Sequence, residues 1–395
     1  MTLLFVFLVG LFGFSLLSRK VDGSYITAPM LFTGVGLVVA FCLDEPVSAD
    51  RGIKPFLHIA EIALVLLLFC DASKVDLSLL RKEKSLPLRL LGPGMLATIA
   101  LGTVVCVLLF PSLSWWEAAL VATILAPTDA GLGQVIVNSP KVPERIREAL
   151  DVEAGLNDGL SVPFLLFFIA IATTLDGENS TSLPVLMGEQ IGYGVLIGIA
   201  IGSVGGVLLN LADKRGAMDK SHRPLAVVAL PIFSYLIAHP VGGSPFIAAY
   251  ITGLAAQKAF PGIHKGSTTF TDEWGESLSF AVFFLFGIFA ASPGTGISWT
   301  PLLYGILSLT AIRMIPVYFS LSGTGLPAKE KAFIGWFGPR GLASIVLGLV
   351  YLEAEADLPG ESIITAIVIS TVILSIFLHG LSARPGIRLI STERR

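Results

Sequence analysis

Charge is what this sequence has least of. Asp, Glu, Lys and Arg make up 14% of its 395 residues, against about 25% in soluble domains. An ordinary soluble domain is therefore excluded. The net charge of −3 gives no basic surface for nucleic acid. Cysteine is nearly absent. Cys42, Cys70 and Cys106 are odd in number and lack Cys-x-x-Cys spacing, so neither a disulfide framework nor a thiolate metal site is expected. No basic region precedes the first apolar run, and no small-residue cleavage site follows it, so the N-terminus reads as a first membrane span and not a removed signal. Intramembrane proteolysis is a remote alternative: Gly-x-Gly-Asp is missing, and Gly-Gly-Ser-Pro near His239 is a poor imitation of a rhomboid-like serine site. A cation channel is equally remote, because no filter-like repeated loop occurs.

What is present is apolar sequence, 54% of the chain, with mean hydropathy +0.81. Against a span of ~20 residues, thirteen apolar runs stand out, at roughly 3–17, 26–43, 56–72, 87–110, 116–137, 151–175, 188–212, 225–242, 244–257, 276–292, 300–321, 330–352 and 361–383. Loops after odd-numbered runs carry Arg19 and Lys20, Arg81 and Lys82, Arg145 and Arg147, Lys214 and Arg215, Lys258 and Lys265, and Lys329 and Lys331. Arg384, Arg388, Arg394 and Arg395 close the chain. Loops after even-numbered runs are short, neutral or acidic, as at Asp44 and Glu45, Asp176 and Glu178, and Glu355 and Asp357. The positive-inside rule then puts the C-terminus in the cytoplasm and the N-terminus outside. The fold expected is a single all-α polytopic membrane domain. An odd count permits two six-helix repeats of opposite orientation, about 1–175 and 225–383, joined by a linker helix at about 188–212.

The fifth and twelfth runs correspond in such an arrangement, and they are the two oddest helices. One contains APTDAGLG and the other GWFGPRGLAS. Pro127 and Pro339 each remove a backbone donor mid-span, and nearby glycines loosen the helix. Interrupted helices at matching positions in two halves point to a midplane ion site. The plainer alternative is that Pro and Gly merely kink membrane helices.

Both breaks sit beside charge, which costs a few kcal/mol per group in hydrocarbon, roughly 2.5–3.5 on insertion scales. Asp129, next to Thr128, offers hard oxygen ligands to a cation, or caps a helix end, or does both. In DVEAGLNDG, Glu153 and Asn157 share a helix face, and Asp158 points ~100° away. One carboxylate can face an ion path while the other is held by a partner. Burial disfavours a carboxylate charge and a bound cation restores it, so a proton and a cation can compete for Asp158. The alternative is a buried hydrogen-bonding group. Arg340 is expected to pair with Glu153 through its planar fork, or to snorkel to the surface. Asp71 either faces the same cavity or is a solvated loop residue, the reading its position near the end of a run favours. Glu276 and Arg313 have no partner legible from spacing. His239 and His379 read as satisfied structural groups rather than pH sensors.

Together APTDA, EAGLNDG, GPRGLAS and HGLSA resemble the NhaP-like, electroneutral branch of the monovalent cation/proton antiporter superfamily, over essentially the whole chain. The resemblance implies thirteen spans with crossed interrupted helices, no cofactor, and exchange of Na⁺ (or Li⁺, or K⁺ in some members) for H⁺ by a homodimer in the cell membrane. It assigns Thr128, Asp129 and Asp158 to the ion and proton site, with Asn157, Glu153 and Arg340 in support and Asp71 as a further candidate. An Asn at 157 in place of the electrogenic branch's first Asp implies one-for-one exchange. Two departures matter: Ala130 replaces a second proline, and Ala154 stands where relatives using a hydroxyl ligand have Ser. The short tail after the last run suggests a prokaryotic form.

Overall fold

The structure is a computed structural model that describes residues 2–22, 24–42, 49–75, 85–173, 183–219, 221–261, 263, 268–292, 298–354 and 358–391. Every regular element among them is helical. Each of the thirteen apolar runs falls on a helix or on an interrupted pair. Nine helices among the described residues are long and apolar enough to cross a membrane. The charged loop positions Asp44, Glu45, Arg81, Lys82, Asp176, Glu178, Lys265, Glu355, Asp357, Arg394 and Arg395 lie outside the described residues.

Helices α1 (Thr2–Asp22), α2 (Ala28–Phe41) and α3 (Ala49–Lys74) come first. Next is α4 (Ser85–Arg89), which runs through a π turn at Leu90–Gly94, beside Pro93, into α5 (Met95–Leu109). The fifth run is split into α6 (Trp115–Ile124) and α7 (Ala130–Val137), and α8 (Glu144–Thr173) follows. Then come α9 (Leu183–Lys214), α10 (Arg223–Ala238), α11 (Pro245–Ala259) and α12 (Thr269–Ala290). The eleventh run divides at Thr310 into α13 (Trp299–Leu309) and α14 (Ala311–Ser320). The twelfth divides into α15 (Ala328–Trp336) and α16 (Leu342–Glu353), and α17 (Glu361–Ile390) ends the bundle.

Local chemistry explains where these helices begin. Thr27 and Ser244 accept N–H groups of the first turns of α2 and α11, each with a proline in that turn, where a missing donor costs nothing. Ser114 and Glu117 form a capping box on α6, satisfying two of the donors a helix start leaves over. The free Glu117 oxygen, Oε1, accepts from Gly360 N at 2.8 Å, tying the start of α6 to the start of α17. Small residues let α9 and α11 pack backbone to backbone. A Cβ on Gly198, Gly202 or Gly206 of α9 would crowd the backbone of α11 at Ala248, Thr252 or Ala256. In lipid, such contact is what holds helices together.

The largest apolar cluster of the core spans α3, α6, α12, α16 and α17, with smaller clusters beside it. At one end of the bundle Phe56, Ile124, Phe286, Ile345 and Leu349 close these helices on each other. At the other end the helices part around an open cavity.

Candidate ion site

The site is built where the two interrupted helices meet. Pro127 has no N–H to continue α6, and the chain restarts at Asp129, whose extended backbone (φ −95°, ψ 116°) makes it the N-cap of α7. Asp129 Oδ1 accepts from Leu132 N at 3.2 Å. Its other oxygen accepts from Leu342 N, the first residue of α16, at 2.5 Å. One carboxylate thus caps two half-helices, at the ends where the peptide dipoles are positive. Asp129 N donates to Pro339 O at 2.8 Å, so the two gaps pair directly.

Arg340 does the reverse. Its Nη1 donates to the carbonyls of Ala126 and of Pro127, the latter at 2.9 Å, which are the acceptors freed where α6 stops. The guanidinium is fully buried. This close approach depends on glycine. A Cβ on Gly341 would overlap the Asp129 carboxylate, and one on Gly338 would come within 2.6 Å of Arg313 Nε.

The expected Glu153–Arg340 pair is corrected by the structure. Glu153 Oε1 pairs with Arg313 Nη1 at 2.6 Å, both side chains 2% exposed. Arg340 lies within electrostatic range of both but spends its hydrogen bonds on the α6 carbonyls, and it does not snorkel. The α14 arginine reaches Glu153 because the break at Thr310 and the small Gly338 let it lie against the second gap.

Asn157 Nδ2 donates to Thr128 Oγ1 at 2.9 Å. Asp158, 5% exposed, instead faces the cavity, and its Oδ1 has no hydrogen-bond partner. Helical spacing therefore separates the neighbours: Glu153 and Asn157 turn to protein, Asp158 to the open space.

That space is about 890 Å³ and is lined by Asp71, Asp129, Asp151, Ala154 and Asp158. Asp71 is a cavity residue, because α3 runs on through Lys74 and includes it. At the mouth Lys74 Nζ and Asp272 Oδ2 are 2.5 Å apart, and Gln134 Nε2 donates to Glu276 Oε1 at 3.0 Å. The charged groups that act on Asp158 are the carboxylates Asp129 and Asp71. Around the crossing Glu153 and Asp129 match Arg313 and Arg340 in number, so neither arginine is left over to balance Asp158. Sequence reasoning missed Asp151. The available signal was its distance of one heptad from Asp158, which places both on one face of α8.

A bundle whose described elements are all helical, with two interrupted helices crossing beside buried carboxylates, has the architecture of an ion-coupled secondary transporter. The chain belongs to the sodium/hydrogen exchanger family, whose profile, described as "Sodium/hydrogen exchanger, transmembrane", matches residues 3–388. It is 24% identical over 371 residues to the K(+)/H(+) antiporter NhaP2 of Shewanella sp. (strain ANA-3), covering 92% of this chain and 62% of that protein. The chain thus spans less than two thirds of that relative's length. It is also 24% identical over 317 residues to a Na(+)/H(+) antiporter of Schizosaccharomyces pombe, covering 69% of this chain and 65% of that protein. In fold it is similar to the sodium proton antiporter MjNhaP1 from Methanocaldococcus jannaschii, with TM-score 0.79 at 19% identity, covering 98% of this chain and 97% of that one.

Proposed function

We propose that this protein exchanges a monovalent cation, Na⁺ or Li⁺, for H⁺, one for one and electroneutrally, through competition of the two at Asp158. The observation that carries the reading is Asp158 itself. It is a buried carboxylate facing an open cavity, acted on by further carboxylates, while Glu153 beside it is already matched by Arg313. A bare charge there is costly to move through an apolar barrier, so the moving form carries either a proton or a cation. Asp129 lines the same cavity, and Thr128, buried directly before it, supplies a further oxygen where the helix is broken. Asn157 holds Thr128, Glu153 and Arg340 brace the crossing, and Asp71 faces the entering ion. No cofactor enters the cycle.

Thirteen crossings in two inverted six-helix repeats, with the N-terminus outside and the C-terminus in the cytoplasm of a prokaryotic cell, complete the reading. The cavity mouth supports this orientation: the basic residues Lys74, Arg147 and Arg384 all line it, as the positive-inside rule expects of a cytoplasmic face. The cavity then opens inward. The homodimer belongs to the same proposal, with the exposed apolar faces of α1 and α9 turned to lipid or to a second copy.

K⁺/H⁺ exchange is the second reading. Ala154 puts a methyl on the cavity wall where a hydroxyl would help strip a small cation, and the NhaP2 relative is named a K⁺/H⁺ antiporter. The test uses purified protein in liposomes with an acid interior and an internal pH dye. Na⁺, Li⁺ and K⁺ are added in turn, with and without a clamped membrane potential. Alkalinisation by Na⁺ or Li⁺, indifferent to the clamp and absent in Asp158→Asn, is the expected result. A response to K⁺ alone changes the substrate and keeps the mechanism. Normal exchange by folded Asp158→Asn would overturn it.

A further inference from the structure

The HGLS stretch of α17 has no role in the mechanism above, yet it is wired to the second break. His379 is buried and bonded at both ring nitrogens. Its Nε2 lies 2.8 Å from Trp336 O, the carbonyl at the end of α15. That partner only accepts, so Nε2 carries the proton. Its Nδ1 lies 3.1 Å from Ser375 Oγ, one turn earlier on α17, and the same distance from Ser375 O; in a neutral ring protonated at Nε2, Nδ1 takes the hydroxyl. Ser375 Oγ in turn accepts from Arg340 N at 2.6 Å, which leaves the hydroxyl hydrogen for Nδ1. Trp336 Nε1 donates to Ser382 Oγ at 2.9 Å, and the Trp336 and His379 rings lie 5.1 Å apart.

The relay is complete in one direction: Arg340 N–H to Ser375, Ser375 O–H to His379, His379 N–H to Trp336. It joins the last residue of α15 to the residue that caps α6, bridging the gap from behind. On the opposite side the same gap faces Asp129, through Pro339 O and Leu342 N. The unwound segment is thus held between α17 and the carboxylate that lines the cavity. The Trp336 carbonyl at the broken helix end accepts Gly338 N at 2.9 Å and has a lone pair left for a second donor. A neutral imidazole supplies it and still has a second nitrogen for the serine, and without a charge beside two guanidiniums.

We propose that His379 and Ser375 are positioning residues for the cation site: they set the register of the second break and, through Pro339 and Leu342, the placement of Asp129. The inference rests on the transport reading. It predicts a change in cation affinity where a purely structural role predicts loss of folded protein.

The test is exchange by purified full-length variants in liposomes, with rates per folded transporter and cation concentration varied at fixed pH. His379→Ala is expected to raise the apparent KM for the cation about 10-fold, the factor carried by ~1.4 kcal/mol, with Vmax within about twofold of wild type. Ser375→Ala moves KM in the same direction and carries the test where His379→Ala does not fold. His379→Gln keeps an N–H at the reach of Nε2 and recovers part of the loss. The double variant is no worse than the more severe single one, as members of one relay require. Unchanged KM in the variants beside an active wild type would overturn the positioning role, and so would losses that multiply in the double variant. A wild type that exchanges no cation would overturn the transport reading itself.

Discussion

Replacing Arg313 by Met tests the charge arrangement of the crossing most directly. Glu153 and Arg313 are each 2% exposed and 2.6 Å apart. Removing the guanidinium leaves a buried carboxylate without its partner, which costs about 3–5 kcal/mol. At ~2.1 cal/mol/K of unfolding entropy per residue, a 395-residue chain loses roughly 4–6 °C of melting temperature. Replacing both groups removes the charge and its partner together and is often close to neutral. Arg313→Met with Glu153→Gln should therefore melt above Arg313→Met alone. The pairing originally expected gives the control: Glu153→Gln should not rescue Arg340→Met, because Arg340 serves the carbonyls of Ala126 and Pro127. Thermal unfolding of the detergent-purified variants, followed by tryptophan fluorescence, reads all five proteins. Wild-type melting of Arg313→Met, or rescue of Arg340→Met in place of Arg313→Met, would refute this account.

Two further predictions address geometry. Gly341→Ala places a methyl against the Asp129 carboxylate and should cut exchange at least ~10-fold while the protein still inserts, since misplacing a site by about 1 Å costs as much or more; liposome exchange normalised to folded protein measures it. Ala154→Ser adds a hydroxyl to the cavity wall. It should lower the KM for Na⁺ relative to K⁺ about 5-fold, the worth of one modest hydrogen bond or ligand, and a ratio that stays the same would remove position 154 from ion choice.

What the sequence made legible was whatever changes the backbone locally. Pro127 and Pro339 delete donors, so the two gaps could be placed before any contact was known. Spacing on one helix separated Asp158 from Glu153 and Asn157 for the same reason. Partner choice was not local. Two arginines of the second half could reach Glu153, and the decision rests on the break at Thr310 and the space left by Gly338, which no periodicity reports. Asp71 was misjudged toward solvent because an apolar run ends there. The helix runs three residues further, to Lys74, which pairs with Asp272 of another helix. His379 looked like a solitary satisfied group; the fold shows that the groups satisfying it are those flanking the second gap.

The crossing also has a consequence for biosynthesis. The acceptors at Ala126 and Pro127 are made 213 residues or more before Arg340, the group that satisfies them. At 5–20 residues per second, about 10–40 s separate the two. A chain arrested before Arg340 carries bare carbonyls and an uncovered Asp129 in its fifth helical segment, the kind of group hydrocarbon does not tolerate. The first half therefore cannot settle into lipid as a finished unit. Its fifth segment has to stay in a polar setting, at the insertion machinery or the membrane surface, until the second half arrives, and a chain truncated there should be marked for degradation where the complete one is not.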